Sequence, residues 1–201
     1  LKATCDNMKK TLEQKVQLKV ENGVELGGLI SSDLTLYPDV HYIVTSTLLV
    51  PAGVTLTILP GATIKFKDYT GFNCQGTLVA NGTPGNMITF TKTDLGLGNI
   101  TTFKINSNTL SYARFDNLIF SGAGTDLGFE HTNSSSKAIY SNCIYTNIQG
   151  GYPWYYGKYN HCVMTNCVSW IALTVISTKN NCNIIWKIQT AQHAMTTRRA
   201  Y

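Results

Sequence analysis

Residues 47–66 read TLLVPAGVTLTILPGATIKF, and this stretch decides the fold. Leu48–Val50 is apolar throughout, and Val54–Ile58 and Thr63–Phe66 alternate apolar and polar residues, the period of a strand with one buried face. Pro51-Ala52-Gly53 and Pro60-Gly61 separate them, and Pro and Gly bend a chain that cannot continue its ladder there. The pattern continues through Gly76-Thr77-Leu78-Val79-Ala80-Asn81-Gly82 and Met87-Ile88-Thr89-Phe90, with no room for a crossover helix between strands. Such a chain coils into a solenoid in which each turn lies on the one before.

A second signal lies in the cysteines. Ser141-Asn142-Cys143-Ile144-Tyr145-Thr146-Asn147 resembles Asn160-His161-Cys162-Val163-Met164-Thr165-Asn166, and Asn180-Asn181-Cys182-Asn183-Ile184-Ile185 is a third copy. The step from Cys143 to Cys162 is nearly equal to the step from Cys162 to Cys182. A near-constant period of roughly twenty positions marks stacked repeats. It predicts that Cys143, Cys162 and Cys182 form an inward column of small apolar side chains, in preference to a disulfide framework or a metal site; no Cys-x-x-Cys is present. Asn147 and Asn166 are expected at tight turns with their amides bonded from one layer to the next, and His161 at a turn position that Asn holds in the other copies.

At 201 residues the chain divides into an N-terminal cap (1–27), a solenoid (28–187) and a tail (188–201). Cys5, Met8, Leu12 and Val16 recur at helical spacing, which predicts an amphipathic helix over the open end of the first turn. At roughly 20 to 25 residues per turn, the solenoid is expected to make about seven turns. Charged residues are only 13% of the chain, and 43% are apolar, enough to fill a core. Of the net charge of +5, the solenoid holds little, with nine basic against seven acidic residues. Without a concentrated basic stripe the body is not a nucleic-acid surface. No run is long and apolar enough to span a membrane.

The run Val50-Pro51-Ala52-Gly53-Val54-Thr55-Leu56-Thr57-Ile58-Leu59-Pro60-Gly61-Ala62-Thr63-Ile64-Lys65-Phe66, with Gln75–Phe90 and the Asn-Cys repeats, resembles the pectate-lyase-like superfamily of bacterial secreted and cell-surface proteins. The resemblance covers about residues 28 to 187. It implies an all-β, right-handed, single-stranded parallel β-helix. It also implies a secreted or cell-surface location and polysaccharide or a surface glycan as partner. Members include adhesins, carbohydrate-binding modules, and polysaccharide lyases and hydrolases, so architecture alone does not transfer an activity.

The lyases of that superfamily imply Ca²⁺ held by carboxylates stacked on neighbouring turns. Here the solenoid has no Asp or Glu after Glu130, so no such ladder can form on the later turns, and no cofactor is expected outside the lyase reading. A hydrolase needs two carboxylates across a cleft. Asp116 with Asp126 or Glu130, and His131 as an acid–base partner, is the one candidate group; turn carboxylates explain the same residues.

One stretch breaks the repeat: Gly150-Gly151-Tyr152-Pro153-Trp154-Tyr155-Tyr156-Gly157-Lys158-Tyr159. Its aromatics exceed what a narrow core can take, and flat rings with polar tips suit sugar faces. Tyr152, Trp154, Tyr155, Tyr156, Tyr159 and Lys158 are the expected glycan-binding residues. Lys137, Lys158 and Lys179, evenly spaced in sequence, would make a ragged basic edge. The leading expectation is a non-catalytic module that binds polysaccharide or another surface. A carbohydrate-active enzyme is the alternative, and a structural stalk the third reading.

Overall fold

The structure, a computed structural model, describes residues 22–121, 138–150 and 158–167 in full. It also gives the strand placement of Lys2–Cys5, Lys10–Glu13, Gly128–Phe129, Lys179–Asn180 and Asn183–Trp186. Among these residues there is no helix, and the chain is an all-β solenoid of short parallel strands in three walls.

The first wall stacks the front half of His41–Val50, then Thr63–Phe66, Ile88–Lys92, Ala113–Asp116, Ile144–Thr146, Val163–Cys167 and Asn183–Trp186, every neighbour parallel. The second wall stacks the back half of His41–Val50 on Thr70–Cys74, Asn99–Lys104, Ile119–Phe120 and Gln149–Gly150. The third is a seven-stranded sheet from Leu34–Leu36 to Lys179–Asn180. Val24–Leu29 lies on His41–Val50 at the N-terminal end.

Alternation along each strand fixes which side chains face inward, and register then stacks them. On the first wall Ile64, Phe90, Phe115, Tyr145 and Met164 form one column. Phe90 and Phe115 stack at 5.0 Å, and Phe115 and Tyr145 at 4.9 Å with 3° between their planes. These separations match the spacing between strands, so the rings meet face over face because the backbone ladder puts them there. On the third wall Ala80, Leu110, Tyr140 and Tyr159 form another column, with Tyr140 and Tyr159 stacked at 5.2 Å. Phe103 from the second wall meets Phe90 and Phe115 edge-on, both at 4.9 Å, and joins the columns.

The cysteine column is present where it is described. Cys143 and Cys162 are fully buried, unbridged and adjacent, because Ile144 pairs with Val163. Ala113 holds the equivalent place one layer earlier. Their thiols donate to carbonyls of the preceding layer, Cys143 to Leu110 at 3.7 Å and Cys162 to Tyr140 at 3.5 Å. Cys182 lies outside the described residues. Cys167 is also buried and unbridged, its thiol donating to the Tyr145 carbonyl at 3.6 Å.

Left-handed residues make the corners. Tyr112, Asn142 and His161 (φ 48° to 54°) lead into the first wall, and Asn117, Asn147 and Asn166 (φ 54° to 56°) lead out of it. Asn tolerates this geometry better than other residues with a Cβ. The Asn147 amide donates to Asn117 Oδ1 at 2.8 Å, and the Asn166 amide donates to Asn147 Oδ1. The expected Asn ladder is therefore real and one rung longer, starting at Asn117.

Two expectations fail. The N-terminal helix is replaced in the described residues by strands: Lys2–Cys5 pairs antiparallel with Lys10–Glu13, Cys5 opposite Lys10. Asp6 and Asn7 are turn-forming residue types in the intervening sequence, and Thr4 and Thr11 favour strand over helix. The even layer of roughly 20 to 25 residues, and the count of seven turns drawn from it, also fails. Leu34 pairs with Leu56, and Ile139 with Lys158, each about one expected period further along the chain. Thr109, however, pairs with Ile139, about half as far again. The strand pairing therefore tolerates layers of unequal length.

Asn147→Ala removes two amide contacts and leaves at φ 55° a residue that tolerates the left-handed region less well than Asn. We expect a loss of about 2 to 4 kcal/mol in urea denaturation. Asn147→Gly keeps the backbone geometry and loses only the side-chain bonds, so its cost is about half as large.

Candidate functional site

The outward face of the first wall is where the register gathers polar side chains into rows. One row runs His41, Thr63, Thr89, Arg114, Ile144, Val163; beside it run Lys65, Thr91, Asp116, Thr146 and Thr165, preceded by Ile43, which is buried. Each later strand contributes two outward residues, two positions apart, and each layer repeats them at about 4.8 Å. Thr is favoured here because a β-branched side chain packs on a pleated surface and still offers a hydroxyl.

The charges sit at the centre of the face. Arg114 reaches Asp116 on its own strand at 3.5 Å. The Thr91 hydroxyl donates to the Asp116 carbonyl at 3.1 Å, tying two layers together. Lys65 pairs with Asp94 at 3.2 Å. Asp116 is thus a surface carboxylate engaged by a guanidinium, with its side chain only 19% exposed.

Asp126, Glu130 and His131, the other members of the candidate catalytic group, lie outside the described residues. So do Tyr152, Trp154, Tyr155 and Tyr156. In sequence they fall between Gln149–Gly150 of the second wall and Lys158–Asn160 of the third. Lys158 is exposed on the third wall. Tyr159 is placed differently from expectation: it is fully buried, its ring stacked on Tyr140, so it is a core residue with no face for a ligand. The alternation Lys-Tyr-Asn within the strand turns it inward. Lys158 and Lys179 do not line up, because Lys158 is level with Ile139 and Lys179 with Tyr159; Lys137 lies outside the described residues. Among the described residues, no three His, Cys, Asp or Glu side chains come together as metal ligands.

A second polar feature escaped the sequence. Asp68, at the corner after Thr63–Phe66, accepts hydrogen bonds from the backbone N–H groups of Leu97 (3.0 Å), Gly98 (2.9 Å) and Asn99 (2.9 Å). The Leu97 N–H is the main cause holding its carboxyl below the usual carboxylate range; partial burial opposes it, and the other two amides and Lys92 add to the lowering. Gly98 is needed at φ 91°, where a Cβ would lie 2.3 Å from the Asn117 carbonyl. The sequence signal was an Asp in a turn, facing a Gly-Leu-Gly segment a layer later, which only register brings together.

Compared with models of known families, with curated proteins and with solved structures, the chain matches none. A functional reading therefore rests on the fold, the outward rows of the first wall and the Asp68 anchor.

Because the folded Asp68 carboxyl is depressed, its contribution is complete above the ordinary carboxylate pKa of about 3.9 and is lost as pH falls through the folded value. Amide hydrogen exchange should read this directly. Asp68→Asn is expected to speed exchange at Leu97, Gly98 and Asn99 while leaving Phe90 and Phe115 protected. In the wild type the same three amides should lose protection selectively below that pKa.

Proposed function

We propose that the chain is a non-catalytic module of a secreted or cell-surface protein, a right-handed solenoid that binds an extended polysaccharide. Handedness follows the strong preference of parallel strand–crossover–strand connections. The observation that carries the binding reading is the pair of outward rows on the first wall. Hydroxyls of Thr63 and Thr89 occupy neighbouring layers of one row, and those of Thr91, Thr146 and Thr165 lie in the other, on either side of a matched Arg114–Asp116 pair. A polymer of repeating hydroxyls lying along the solenoid axis finds donors and acceptors in successive layers. The low share of ionised residues, 13%, suits an uncharged or weakly acidic glycan. By residue type alone, Tyr152, Trp154, Tyr155 and Tyr156, outside the described residues, are proposed as further ring faces suited to a sugar.

Catalysis is the weaker reading. Glycoside hydrolysis needs two carboxylates with distinct protonation states, whereas Asp116 is held by Arg114, and Asp94, another acid of the described chain, is held by Lys65.

A glycan array with the intact chain tests the proposal, followed by two variants. Thr89→Val with Thr146→Val removes two hydroxyls from the rows and is expected to weaken retention about 30-fold, at about 1 kcal/mol for each hydrogen bond. Trp154→Ala with Tyr155→Ala is expected to weaken it further without altering the circular dichroism. Retention indifferent to both changes removes the binding site. Release of oligosaccharide product, abolished by Asp116→Asn, replaces binding with catalysis.

A further inference from the structure

Of the first-wall strands whose side chains are described, Ala113–Asp116 alone carries a charge at both outward positions, Arg114 and Asp116. The Arg114 side chain is 46% exposed, and its Nη1 lies 3.5 Å from Asp116 Oδ2. An exposed ion pair of this kind adds little to stability, so the fold does not require it there. What the pair does is set guanidinium N–H donors beside a carboxylate acceptor on a face otherwise rich in hydroxyls. Register fixes the surroundings. Thr89 precedes Arg114 in its row, and Ile144 and Val163 follow it; Thr91 precedes Asp116, and Thr146 follows it. Ile144 is half-buried and Val163 is 36% exposed, so the row turns from polar to apolar next to the guanidinium.

A sugar ring has the same two characters. Its edge carries hydroxyls that both donate and accept, and its face carries C–H groups. When two adjacent hydroxyls reach the pair together, one donates to the Asp116 carboxylate and its neighbour accepts from the Arg114 guanidinium. Both bonds are charge-assisted and stronger than bonds between neutral groups. A lone hydroxyl serves one member and leaves the other to lose its water without a replacement. Ile144 and Val163, in consecutive layers of one row, offer apolar surface to the C–H face. The charges also set what the face refuses. Lys65 is paired with Asp94 at 3.2 Å, the Lys92 ammonium is bound to the Gly96 and Thr93 carbonyls at 2.7 and 3.3 Å, and Arg114 has Asp116 beside it. A uronate carboxylate brought to Arg114 therefore meets the like charge of Asp116.

We propose that Arg114 and Asp116 are the specificity pair of this face. They take two adjacent hydroxyls of a neutral sugar, with Ile144 and Val163 against its C–H face, and they exclude uronic-acid polymers. This rests on the first-wall polysaccharide reading and narrows it.

Pull-down of the full chain on four immobilised polymers tests it. Galactomannan and cellulose are neutral and leave adjacent ring hydroxyls free. Curdlan is neutral, but its linkage leaves no two adjacent ring hydroxyls free along the chain. Polygalacturonate leaves them free and adds a carboxylate. The wild type is expected on galactomannan or cellulose, and roughly fivefold or more less on curdlan and polygalacturonate. Periodate oxidation with borohydride reduction, which cleaves adjacent diols, is expected to abolish retention on the neutral polymer. Arg114→Met is expected to weaken that retention about tenfold, the scale of one hydrogen bond to a charged group. Asp116→Asn is expected to weaken it too and to raise retention on polygalacturonate, because it removes the like charge and releases the guanidinium. The main-chain carbonyl that the Thr91 hydroxyl bonds is kept in that variant, so the tie between layers stays. The wild-type preferences are read without any variant. Retention on polygalacturonate or curdlan equal to that on the neutral diol polymers, or neutral retention unchanged by both substitutions, overturns the role of the pair and leaves the polysaccharide reading standing. Retention by none of the four overturns the role of the pair if the glycan array still shows binding, and both readings if it does not.

Discussion

Parallel pairing in register between successive layers is the constraint on which the rest of the molecule depends. Once Phe90 is paired with Phe115, and Phe115 with Tyr145, the strand spacing dictates how the rings meet. The result is a core of columns rather than of interdigitated side chains. Each column has a fixed height per residue, and in places neighbours of similar width follow one another along it. Ala113, Cys143 and Cys162 do so in a narrow column, and Phe90, Phe115 and Tyr145 in a wide one. The same pairing that stacks the core lines up the outward rows, so the hydroxyl array on the first wall is a consequence of the core rather than a separate device.

The corners let the layers differ in length. A single left-handed residue turns the chain at Asn117, Asn147 and Asn166, and the amide ladder fixes each turn against the next. Elsewhere the chain leaves the solenoid and returns, as between Ile88–Lys92 and Asn99–Lys104. That excursion carries exposed leucines on a frame of backbone hydrogen bonds anchored by Asp68. The residues proposed to contact a ligand sit on the outer rows of this scaffold.

Much of this was legible in the sequence. The Asn-Cys copies announced both the buried thiol column and the Asn corner, because stacking repeats side-chain type as well as spacing. His161 could be placed at a turn because it stood where the other copies have Asn. The errors share a cause. Cys5, Met8, Leu12 and Val16 fit a helical period, but apolar spacing over so short a stretch does not outweigh Thr and turn residues that favour a hairpin. Tyr159 looked like part of an aromatic cluster because proximity in sequence was read without the strand's alternation. The Thr rows and the Asp68 anchor were invisible for a different reason. Their members lie a full layer apart along the chain, and layers of unequal length hide such pairs until the register is known.

The surface interactions proposed for this chain all presuppose that its layers superimpose in register. The most direct test is an interlayer nuclear Overhauser measurement on the wild-type chain. In-register stacking predicts strong contacts from the Tyr145 ring to Phe115 and to the Met164 methyl, and from the Tyr140 ring to Tyr159. It also predicts a close approach of the Ile144 and Val163 backbones. Absence of these contacts, or their replacement by pairing of Ile144 with a residue other than Arg114 and Val163, would contradict it.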